Sequence, residues 1–78
     1  MHDPKEELEY DDREVFVQVF AAAFPKLTAM QQHCLLLSIT GFTQAQIAEM
    51  LGVGQQAVSR HFTRALGQVA ATAEELRN

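Results

Sequence analysis

The sequence predicts an all-α domain of four helices, at about residues 12–24, 28–40, 44–51 and 55–76, the last of them long. Three observations predict it. Apolar residues recur at spacings of three and four along most of the chain. Pro25, Thr28, Gly41, Thr43 and Gly52 punctuate it into helical lengths. Two short helical patterns within residues 43–66 meet at Gly52, in helix-turn-helix spacing.

The chain opens on an arm, residues 1–11, that is charged and poor in periodicity, so a mobile or partly helical segment is expected there. The helical domain is assigned to residues 12–78. Its first helix starts among acids that suit the positive end of the helix dipole, and Pro25 closes it. Val15, Phe16, Val19, Phe20, Ala23 and Phe24 fill one broad apolar stripe, and Val17 falls outside its centre. That is more apolar surface than one wall of a small core requires, so this helix is a candidate dimer surface.

Thr28 and Gln31 form a capping-box pair at the start of the second helix, and Gly41 ends it. Cys34 lies in its apolar run CLLLSI, where a buried and inert thiol is expected. Thr43 and Gln46 repeat the capping signature for the third helix. There Ile47 and Leu51 sit four apart and point into a core, while Ala48 is small where another helix must cross. Gly52 supplies the left-handed turn, and Val53 drops back into the core.

The fourth helix carries Val58, Phe62, Ala65, Val69, Ala73 and Leu76 in steps of three and four. An isolated tail of this kind frays, so residues 69–76 are expected to pack on the first helix or on a second subunit. The expected dimer surface therefore comprises Val15, Phe16, Val19, Phe20, Val69, Ala73 and Leu76. Gly67 interrupts the opposite, polar face at a cost in helix propensity, or permits close approach of another backbone.

At 78 residues the chain is one small domain that hides only ~60% of the surface its unfolded form exposes. Its 47% hydrophobic content is generous for that size. A single Cys excludes an internal disulfide, and no run approaches the ~20 apolar residues of a membrane span. The acidic amino terminus is unlike a basic leader, so a soluble cytoplasmic protein is expected, with no membrane association. His33 and Cys34 are sequence neighbours that splay by about 100° on a helix, no Cys or His pair has metal-ligand spacing, and no Gly-rich phosphate loop occurs. Neither catalysis, cofactor nor metal is expected.

The net charge of −4 is unevenly placed. Through Glu14, seven acids oppose Lys5 and Arg13, and the tail sets Glu74 and Glu75 against Arg77. Between them Lys26, Arg60 and Arg64 oppose only Glu49, so the helix-turn-helix lies in the positive part. The acidic arm solvates; alternatively, it folds over the basic face and limits non-specific binding. With the apolar stripe of the fourth helix buried, the free face carries Gln56, Arg60, Thr63 and Gly67, flanked by Ser59 and Arg64. Gln pairs bidentately with adenine and Arg with guanine, while Ser and Thr suit bases or phosphates, so double-stranded DNA is the expected partner. Three basic residues limit the salt slope of binding to about −3 per copy, which makes a lone copy a weak binder. Two copies on paired half-sites, or docking to a larger DNA-bound machine, would supply the missing affinity.

Residues 27–66, LTAMQQHCLLLSITGFTQAQIAEMLGVGQQAVSRHFTRAL, resemble the DNA-binding domain shared by LuxR-type regulators and region four of bacterial sigma factors. The matching positions are Leu27 and Thr28, Gly41, Ile47 to Glu49, Leu51 to Val53, and Gln55 onward. The resemblance implies that Gln55, Gln56, Ser59 and Arg60 approach the major groove, with Thr43, Arg64 and the helix ends near phosphates. His61 matches a histidine common in the LuxR pattern and lies at the edge of the buried stripe. Gln55, Gln56 and Ser59 stand where relatives commonly carry Lys or Arg, so lower affinity is implied. The chain carries no receiver, ligand-sensing or −10-binding region and is expected to act as a freestanding module. Two functions follow: a sequence-specific transcriptional regulator working as a homodimer, or a region-four-like adaptor that binds RNA polymerase or another regulator with little base readout.

Overall fold

The structure, a computed structural model, describes the backbone of residues 4–77 and the side chains of residues 13–77. Its helices are α1 (Pro4–Ala23), α2 (Ala29–Thr40), α3 (Gln44–Leu51) and α4 (Gln55–Arg77), with one turn of 3-10 helix, Phe24–Lys26, joining α1 to α2. Among the described residues there is no strand.

The ends of α2 and α3 are built alike, and the chemistry is local. Thr28 accepts a hydrogen bond from the Gln31 backbone N–H at 3.2 Å, and the Gln31 side chain accepts from the Thr28 N–H at 3.0 Å. Thr43 and Gln46 make the same reciprocal pair at 3.1 and 2.9 Å. Each box satisfies two N–H groups that the first turn leaves without partners. Both helices then end on a left-handed glycine, Gly41 at φ 110° and Gly52 at φ 69°. The residue after each glycine reaches back five positions, Phe42 N–H donating to Leu37 O and Val53 N–H to Ala48 O. These are Schellman closures, and they cap carbonyls that would otherwise face the turn empty.

α1 departs from expectation at both ends. It begins at Pro4 rather than near residue 12, so the arm is helical from that point. Proline fits the first helical turn because its missing N–H has no intrahelical partner there, and no glycine interrupts the residues that follow. The first three residues, the arm's side chains, and with them the fold-over of the arm onto the basic face, lie outside the described residues. At its other end α1 stops at Ala23, one residue early. Pro25 cannot donate to the ladder, and the chain tightens so that Leu27 N–H donates to Phe24 O at 3.1 Å.

Packing divides into two clusters that share α2 and α4. Cys34, Ile47, Ala48 and Val58 are buried together beneath the helix-turn-helix, with Met30, Leu37, Leu51 and Val53 around them. Leu27, Leu35 and Ala65 form the second cluster, covered by Phe20, Phe24, Phe62 and Val69. Cys34 and Leu35 point about 100° apart on α2, which is how one helix serves both. Phe16 and Phe20 on α1 and Phe24 in the turn after it stack in succession, with ring centroids 6.1 and 5.4 Å apart. They brace α1 against α4.

The rear of α4 packs on α1 as expected, but through a different residue. Thr72 is buried, where Ala73 was the residue assigned to the stripe. Its hydroxyl donates to the Gln68 carbonyl at 2.9 Å and accepts from the Gln68 side chain at 3.3 Å, so the buried oxygen is satisfied within the helix. Val58, Ala65 and Thr72 are seven apart, which keeps one line of α4 against its neighbours. Lys26 bridges to Glu75 at 3.1 Å across the surface of this junction.

Candidate nucleic-acid interface

α3 and α4 meet through Gly52, Val53 and Gly54. Val58 and Ala65 hold the underside of α4 in the two clusters, and this determines what the other side offers. Gln55, Gln56, Ser59, Arg60, Thr63 and Arg64 are all exposed. At 1.5 Å per residue they span about 13 Å of α4, the length of about four base-pair steps. Thr43, at the mouth of α3, is exposed as well, and its capping role leaves the hydroxyl proton free to donate. Gly54 precedes α4 without a side chain to cap it, so the first N–H groups of that helix are open to an anionic partner.

Among the described residues no carboxylate pairs with Arg60 or Arg64. Among the described residues, nothing takes up their guanidinium donors. Lys26 is different. It is tied to Glu75, fifteen residues beyond Arg60 and so about 22 Å further along α4. The positive charge available at this face is thus two arginines rather than three basic residues. Glu49, the one acid in this part of the sequence, lines a shallow apolar depression with Gln46 and Met50 on α3 and Phe42 just before it.

His61 is half buried, and its Nδ1 is shielded from solvent without a hydrogen-bond partner. That side of the ring faces the protein. Cys34 is fully buried, and burial pushes its thiol pKa up, so little of it is thiolate at neutral pH. Among the described residues no three His, Cys, Asp or Glu side chains converge as a metal site, and no helix is long and apolar enough to cross a membrane.

Of the residues assigned to a dimer surface, Phe16, Phe20 and Val69 line one groove, and the seven differ in exposure. Val19 is buried in the monomer, and Phe20 and Val69 cover the second cluster. Val15 and Phe16 on α1 and Leu76 at the end of α4 remain open to solvent, with Ala73 intermediate. Ile39 on α2 and Leu66 on α4 are also exposed, and sequence reasoning passed over both. Leu66 is adjacent to the buried Ala65, and only the packing shows that it is left outside.

Comparison with known proteins agrees with this geometry. A family model described as Sigma-70, region 4, matches residues 17–69, which takes in the last turns of α1, the whole of α2 and α3, and α4 as far as Val69. No curated protein and no solved structure matches the chain.

Proposed function

Because the chain belongs to the sigma-70 region 4 family, a helix-turn-helix family of transcription, we propose that it is a sequence-specific regulator whose α4 reads the major groove. One observation carries the proposal. Gln55, Gln56, Ser59, Arg60, Thr63 and Arg64 form a continuous exposed polar ridge, with the apolar residues of the same helix turned inward. Gln56 and Arg60 are the base readers, four residues and one turn apart, suited to adenine and guanine. Thr43, Arg64 and the open start of α4 hold phosphates.

Two arginines per copy give a salt slope of only about −2, too little for tight binding by one copy. Two copies on half-sites about one DNA turn apart double the contacts, so the regulator acts as a homodimer. The net charge of −4 favours a second reading, in which the same fold docks on RNA polymerase or another regulator and reads few bases. Selection of bound fragments from random-sequence DNA, followed by titration of the wild type and Arg60→Ala, decides between them. Direct readout predicts an enriched motif and a loss of about 1–3 kcal/mol, confined to one base position, on substitution. Absence of any enriched motif together with retained polymerase binding would select the adaptor.

A further inference from the structure

Phe16 on α1, Ile39 on α2 and Leu66 on α4 rim a groove of about 160 Å³, with Phe20, Leu35 and Phe62 among its floor residues and no polar side chain in its lining. The rim is open: Phe16 is 61% exposed, Ile39 59% and Leu66 46%. Val15 and Leu36, beside them on α1 and α2, are exposed too. We propose that this groove is the docking surface for a second copy of the chain. The proposal deepens the two-copy reading above and rests on it.

Area supports that occupant. At on the order of 100 Å² from each of the five, about 500 Å² of apolar surface lies open, near the upper limit for a stable monomer. With a polar rim added, it approaches the ~800 Å² that each partner contributes to a standard interface. Shape supports it as well. Phe16 is both a wall of the groove and a projection from it, so a two-fold axis at the mouth lets each copy place its Phe16 in the groove of the other. Leu66 lies about 120° round α4 from Arg60 and in line with Ser59, so such a pair borders the Ser59 and Thr63 edge of each ridge and leaves Arg60 clear.

The charge pattern gives the contact a distinctive signature. Two chains of net charge −4 repel each other, so added salt tightens their association while it weakens DNA binding. Sedimentation equilibrium of the full chain, run over about a hundredfold range of concentration at low and high salt, is the test. The expected result is a monomer–dimer equilibrium that strengthens with salt. Ile39→Glu and Phe16→Ser should each weaken it at least about tenfold, and Met50→Glu, an exposed apolar site outside the groove, should leave it unchanged. Circular dichroism confirms that the variants fold, as their exposure leads us to expect. A duplex carrying one selected half-site should bind Ile39→Glu as it binds the wild type.

A wild type that stays monomeric throughout, or a dimer indifferent to both groove substitutions, overturns the proposal. A chain that is monomeric alone but loses polymerase binding with Ile39→Glu assigns the groove to that partner and overturns it equally. A groove-dependent dimer that selects no DNA refutes the reading of α4 and leaves the docking surface standing.

Discussion

Replacing Gly67 by Ala should make the protein more stable, and replacing Gly52 by Ala less. Both glycines are open to space, since a Cβ built at either meets no atom within 4 Å. Steric contact therefore contributes nothing, and the backbone alone sets the sign. Gly67 lies inside the continuous helix α4, where Ala is favoured over Gly by about 1 kcal/mol. In a domain of this size that raises the melting temperature by roughly 4–8 °C. Gly52 holds φ 69° and ψ 33°, the left-handed region that costs an L-residue about 1–2 kcal/mol. A fall in melting temperature of similar or larger size is expected. Thermal unfolding followed by circular dichroism on the two single variants and the double variant measures this. The two sites share no packing partner, so the double should equal the sum within about 0.5 kcal/mol. A Gly67→Ala protein no more stable than the wild type would show that α4 does not run unbroken through residue 67, and the packing of its rear half would have to be reconsidered. Gly67 also lies on the reading face, so the same variant shows whether a methyl group there obstructs DNA.

Val58→Ala removes two buried carbons from the cluster under the helix-turn-helix and should cost about 2–3 kcal/mol in denaturant unfolding, transfer and cavity terms together. Thr43→Ala breaks one capping box and should cost about 1 kcal/mol, with weaker DNA binding at every sequence because its proposed contact is to phosphate. Cys34 should resist thiol reagents in the native protein and react at the rate of unfolding; rapid native-state labelling would contradict its burial. The slope of log affinity against log salt should be about −2 per copy, and a value near −3 would mean that a cation besides Arg60 and Arg64 joins the DNA contact.

The sequence by itself determined the parts whose chemistry is local. The capping boxes at Thr28 and Thr43 and the left-handed stops at Gly41 and Gly52 each involve residues within one turn, so the limits of α2 and α3 were legible from spacing alone. The polar ridge of α4 was legible for a related reason: once Val58 and Ala65 are inward, helical geometry commits Gln56, Arg60 and Thr63 to the opposite side. Tertiary structure decided what depends on where neighbouring helices cross and end. It buried Thr72 in preference to Ala73, because α4 meets its neighbours along a seven-residue line and helix-internal hydrogen bonds make the hydroxyl tolerable there. It placed Lys26 beside Glu75, two residues 49 apart in the chain, at the far end of α4 from the reading face. It also left Phe16, Ile39 and Leu66 bare around one groove. Periodicity states which side of a helix is apolar, but how much of that side is covered depends on the length and crossing of the helices packed against it, and those are long-range quantities.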